Sequence, residues 1–258
     1  GDTILVSAGV YVEELVVDVS VTIAGAGIGQ TVVRPATSVP GSGPGSQLGT
    51  TTWLARVRAS GVTLSAMTFD GDNPTLPAAV DARGGIVTDF TAGTFNALQV
   101  LGCEVKNVAY RGIYAAAGGS GHKLNSNKVS NVKAEPLDSV GIFFFGAVGE
   151  ARGNNVTDCS IALGFQSGGG GLFRDNVVSA CDLGMLANGS TSPVNILDNT
   201  VTASDQGIQS IAVSTTVTVS GNATSGCLTG LTLFGLGTGN VVVDDNTFDG
   251  LGAAGSSG

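Results

Sequence analysis

Apolar residues recur in short alternating runs along this chain. Val194 and Ile196, Val217 and Val219, and Val241 and Val243 each stand two apart, five and three residues before an asparagine. Alternation of this kind describes a strand with one buried face. Five residues beyond the asparagine position stand Val108, Val132, Cys159, Cys181, Ser204 and Cys227. Eight beyond it come Gly184, Gly207 and Gly230, each followed by Met185, Ile208 or Leu231. The unit so defined is three short strands separated by turns.

The asparagines themselves set the period. They are Asn127, Asn154, Asn176, Asn199, Asn222 and Asn246, at steps of 27, 22, 23, 23 and 24 residues. Cys103 and Met67 hold the same place further back. The step of 36 between them contains the insertion DGDNPTLPAAVDARGG. An outlying copy, VTIAGAGI, is set off by the Pro/Gly/Ser stretch PATSVPGSGPGSQLGTTT. A unit of about 23 residues cannot bury its own face and must stack on copies of itself. The pattern therefore predicts an all-β fold, a single-stranded right-handed parallel β-helix of about nine coils. A rise of roughly 4.8 Å per coil makes a rod on the order of 40 Å long. It would form one domain over residues 1–258, with insertions at about 35–52 and 70–85. The stacked asparagines would form a ladder at one turn, passing amide hydrogen bonds along the axis, and would themselves suit a left-handed turn conformation.

Composition narrows the function. The net charge of −9 disfavours nucleic acid, whose phosphates need lysine and arginine patches. No run of eighteen apolar residues exists, so no membrane-spanning helix is expected. Charged residues are only 12% of the chain and glycines number 41. Loops such as AAAGGSG, QSGGGG and FGLGTGN present small, uncharged surfaces. Cys159, Cys181 and Cys227 share an interior column with Ser204, and free thiols are expected there. The sequence starts in a strand, GDTILV, and fades out as GLGAAGSSG without a capping helix. Either it is cut from a longer polypeptide, or copies of itself or neighbouring domains cover its ends.

The opening GDTILVSAGVYVEELVVDVSVTIAGAGIGQTVV resembles the first coils of pectin-lyase-like β-helix proteins. The later DN-x-V coils are similar to the parallel β-helix repeats of NosD-like and carbohydrate-active proteins. This resemblance implies the fold and leaves the chemistry open, because that fold hosts lyases, hydrolases, esterases, epimerases, adhesins and phage spikes. The polygalacturonase-like set of NTD, DD and GHG motifs is not matched. Asp244 and Asp245 form a DD in the last coil with no histidine nearby, and His122 stands in GHK. The repeat places His122 on an inward column, as a core residue.

The candidate chemistry lies on the outward positions near the asparagine turn. Lys123, Glu150, Arg152 and Arg174 fall on successive coils, with Glu104, Lys128 and Asp175 beside them. Lys128, Glu150, Arg152 and Arg174 are the catalytic candidates for a polysaccharide lyase or hydrolase acting on acidic glycans. Such a lyase needs a base for the proton α to a carboxylate and cations to hold that carboxylate. The alternative for the same residues is a solvated face with cross-coil ion pairs. Asp70 and Asp72 in DGDNPT echo a calcium loop, although calcium takes six to eight oxygens and this stretch, even with Asp81, offers only some. Asn188 in ANGSTSP is the glycosylation-type sequence compatible with the repeat. The favoured function is an extracellular or cell-surface structural module that assembles through end-to-end or lateral contacts. A polysaccharide-active enzyme and a glycan-binding adhesin or phage-spike-like stalk are its rivals.

Overall fold

The computed structural model describes residues 1–134, 138–235, 237 and 239–250. Among the described residues there are 29 strands and no helix. They form three parallel sheets, in which each strand pairs with the strands three before and three after it in sequence. The first sheet holds the strands that precede the asparagine turn, such as His122–Asn125 and Gly170–Arg174. The second holds those that follow it, such as Lys128–Val132. The third closes the coil with strands such as Val108–Ala116 and Leu183–Asn188. The first two sheets have ten strands and the third nine, so the solenoid has one coil more than the nine read from the sequence. The extra coil is the first, where Asp2–Leu5 pairs with Val21–Ala24.

The ladder forms as expected and runs in one direction. In Asn154, the backbone N–H and Nδ2 both donate to Oδ1 of Asn176, at 3.0 and 2.8 Å. Asn176 repeats this toward Asn199 at 3.0 and 2.9 Å, and Asn199 toward Asn222 at the same distances. Each Nδ2 also donates backwards to a carbonyl one coil earlier, as from Asn176 to Ala151 at 3.0 Å. The left-handed residue is not the asparagine but the one before it. Ser126, Gly153, Asp175, Asp198, Gly221 and Asp245 have φ of 58°, 60°, 54°, 56°, 67° and 51°. That residue turns the corner in solvent, and the asparagine side chain is freed to point inward.

A single apolar core fills the tube, from Val17 to Cys227. His122 is buried in it, and its Nδ1 accepts from Leu98 N at 3.3 Å, while Nε2 meets the geometry of a hydrogen bond with none of the described residues. The four cysteines are buried and free. Gly85, Gly112, Gly184 and Gly207 line the inside of the third sheet. A Cβ on Gly207 would come within 2.4 Å of the Gly230 carbonyl oxygen, so the backbones of successive coils approach too closely there for a side chain. Of the expected insertions, the first separates Thr31–Arg34 from Trp53–Val57. The second is shorter than read, because Asp70 ends one strand and residues 82–85 begin another, Ala82–Thr88.

Candidate functional site

The sequence-derived candidates divide across the asparagine turn. Lys128 belongs to the second sheet, whereas Glu150, Arg152 and Arg174 stand on the first. Each is engaged within the chain. Lys128 Nζ lies 3.0 Å from the Glu104 carboxylate, and Arg152 Nε 2.9 Å from that of Glu150. Arg174 reaches Asp198 at 2.9 Å and Asp175 at 3.5 Å. On the second sheet the charges alternate in two columns. Lys106 bridges Asp70 and Glu104 at 3.7 and 3.8 Å, and Arg34 reaches Asp70 at 3.7 Å. Burial pushes the Glu104 carboxyl up, but the hydrogen bond from Lys128 and the charges of Lys106 and Lys128 outweigh it and hold the group below its ordinary range. Asp70 also accepts from Asn107 Nδ2 at 2.7 Å and from the Asp72 backbone at 3.3 Å. Its oxygens are therefore occupied by protein donors, and no group of three or more metal-ligating side chains gathers among the described residues.

The third sheet is built differently, because its outer face is apolar as well as its inner one. Trp53, Val87, Tyr114, Val140, Phe143, Ile161, Leu183 and Leu186 form a second cluster outside the tube. At its N-terminal end the loop after Arg34 folds over the sheet and is pinned by the buried Arg83 and Tyr110. Arg83 Nη2 donates to the carbonyl of Gly43 at 2.6 Å, Nη1 to Pro40 at 3.2 Å and Nε to Gly45 at 3.1 Å. The Tyr110 ring lies between Arg83 and Arg111, whose guanidinium carbons stand 4.1 and 4.0 Å from its centre. The Tyr110 hydroxyl accepts from Gly45 N at 2.6 Å and donates to the Asp138 carboxylate. Arg111 Nη2 is 3.1 Å from Asp138 Oδ1, and burial pulls the guanidinium down to about 9. Asp138 is raised by burial, against the pull of Gly45 N–H and Arg83.

Asp138 leads from this pinned loop into a groove of about 210 Å³ on the same face. The apolar part of the lining is Val140, Ile161, Leu183, Leu186 and Ile211; the polar part is Gln166, Asn188, Gln206, Gln209 and Asp138. These side chains are brought together by register. Val140, Ile161, Leu183 and Gln206 are Cα partners on successive strands, and so are Gln166, Asn188 and Ile211. Gln209 Nε2 donates to Gln206 Oε1 at 3.1 Å. A second hollow, of about 240 Å³, lies at the foot of the loop after Arg34, where Thr37 is joined to Glu14 and Thr52 at 2.8 Å each and Arg56 completes the polar lining. Sequence reasoning missed the third-sheet groove. The available signals were AYRGIYAA and the triple Phe143–Phe145, since neither can place every bulky side chain on one face.

Three solved structures share this shape at low identity. An exopolygalacturonase of family 28 from Yersinia enterocolitica is 11% identical, with 96% of this chain and 60% of that chain covered and a TM-score of 0.63. A PL6 family alginate lyase, AlyGC, is 15% identical over 96% of this chain and 36% of that chain, with a TM-score of 0.56. The enzymatically active domain of tailspike protein 2 from bacteriophage CBA120 is 11% identical over 97% of this chain and 42% of that chain, with a TM-score of 0.55. No curated protein sequence matches the chain. The family described as right handed beta helix region matches residues 84–254, about two thirds of the sequence, and the chain belongs to it.

Proposed function

We propose that this protein is an extracellular glycan-binding β-helix whose ligand lies in the groove on the outer face of the third sheet. The observation that carries this reading is the union of an aliphatic floor with four side-chain amides, bordered at one end by Asp138, which Tyr110 ties to the loop after Arg34. Apolar walls with a few oriented polar groups are the general design of a small-molecule or sugar site. Binding is favoured over turnover because the described lining contains a single carboxylate, Asp138, and that group is already bonded to Tyr110 and Arg111. Glycoside hydrolysis ordinarily calls for two carboxyl groups facing the scissile bond. The solved structures of similar shape include an exopolygalacturonase and an alginate lyase, which supports a glycan as the class of ligand.

Binding of the purified chain to an array of immobilised polysaccharides tests the reading. Retention is expected, and Leu186→Asp, which puts a charge on the groove floor, is expected to remove it while circular dichroism stays unchanged. Retention that survives Leu186→Asp would place the ligand elsewhere. The structural-module alternative is read in the same preparation by sedimentation: stable oligomers that bind no glycan would favour assembly as the function.

A further inference from the structure

We infer that the groove selects a neutral, hydroxyl-rich glycan and rejects uronate polymers, an inference that rests on the glycan-binding reading above. Among the described residues its lining contains no lysine or arginine. Residues 135–137, 236, 238 and 251–258, which are not among the described residues, contain neither residue type. The arginine adjoining the lining, Arg111, is 4% exposed and committed to Asp138 and to the faces of Tyr110 and Phe143, with its guanidinium carbon 4.0 and 4.6 Å from their centres. A uronate carboxylate entering here would shed water, find no free cation and lie near the Asp138 anion. Desolvating an unpaired charge is strongly unfavourable.

The amides suit the opposite ligand. The side chains of Gln166 and Asn188 make no hydrogen bond among the described residues, although both line the groove. A carboxamide offers two donors and an acceptor, which matches a pair of hydroxyls that each donate and accept. Gln166 and Asn188 are Cα partners on neighbouring strands. Their amides therefore repeat at one strand spacing, about 4.8 Å, along the rod axis. Leu186, two residues before Asn188 on the same strand, and the Ile161–Leu183 pair, five residues back along the two strands, give the aliphatic part of the lining for the C–H face of a sugar ring. The site is thus shaped for an extended chain lying parallel to the solenoid axis.

Affinity gel electrophoresis of the whole chain tests this, using neutral polymers (a β-glucan, a galactan, a mannan and dextran) and uronate polymers (polygalacturonate and alginate) at low and high salt. Retardation by at least one neutral polymer is expected, equal at both salts because no ion pair is involved. The double variant Gln166→Leu, Asn188→Leu should weaken it about tenfold or more, the loss expected when hydrogen-bonding groups of a ligand are left unpaired. Gln209→Arg is a second probe and should gain salt-sensitive uronate binding. Uronate retention by the parent chain that the double variant weakens would overturn neutral selectivity and leave the glycan groove standing. Absence of retention by every polymer would overturn both. Neutral retention untouched by the double variant would overturn the groove as its site.

Discussion

Two columns of carboxamide side chains run parallel to the axis of this molecule. In the corner between the first and second sheets, Asn154, Asn176, Asn199 and Asn222 are buried, and each amide is saturated by the coils on either side. On the outer face of the third sheet, Gln166 and Asn188 are half-buried and bond to no other side chain among the described residues. The same functional group is stacked at the same spacing in both places. Where its partners are built into the next coil it holds the rod together, and where they are missing it is available to something else.

The largest expected effect comes from breaking the saturated column. Asn176→Ala removes the acceptor for the Asn154 backbone and side chain and the donor to Ala151. Buried groups left unsatisfied cost about 1–3 kcal/mol each, so a loss of about 4 kcal/mol is expected in urea denaturation. A loss below about 1 kcal/mol would mean that the ladder is ornamental and the comparison false.

His122 opens a strand of the first sheet as a buried ring whose Nδ1 accepts from Leu98 N. Burial lowers its pKa to about 4, from an ordinary 6.5. The unfolded chain then binds a proton that the folded chain refuses between pH 6.5 and 4, so stability falls as pH drops through that window, by on the order of 2–3 kcal/mol. Stability measured against pH should show this slope, and His122→Gln should flatten it. Glu104 acts lower: its depressed pKa stabilises the fold above its ordinary value of 4.5, and that contribution is lost as pH falls through the folded value. A smaller effect is expected from Lys128→Ala. Lys128 is 55% exposed, and Lys106 remains beside Glu104, so a loss of about 0.5–1 kcal/mol that fades with added salt is the expected outcome of denaturation at two ionic strengths.

The smallest effect should come from the unsaturated column. Gln166→Leu with Asn188→Leu should change stability by no more than about 0.5 kcal/mol, because no internal bond is lost. A melting temperature well below that of the parent would show that these amides are structural after all.

How much of this was legible in the sequence follows from the same contrast. The ladder was legible because asparagine returning at near-constant spacing, with inward valines alternating cleanly around it, is what a stacked turn demands of a solenoid. The conformational role was assigned one residue too late, since Asp175 and Asp198 tolerate a left-handed backbone as readily as asparagine does. The third-sheet groove was hidden because both faces of that sheet are apolar. In Val108–Ala116 all nine residues are buried, so alternation disappears and Arg111 has no visible reason to be there. Lys128, Glu150, Arg152 and Arg174 stood out as charges in an uncharged chain, but charge alone did not reveal that each had a neighbour of opposite sign one coil away or two residues along its own strand.

Each rung of the ladder asks the next coil for the same oxygen and nothing more. Excising residues 177–199 would seat Asn176 directly beneath Asn222, a neighbour chemically indistinguishable from the one removed. Length in this architecture is therefore a quantity that duplication or loss of whole turns can adjust, with the corner left chemically intact.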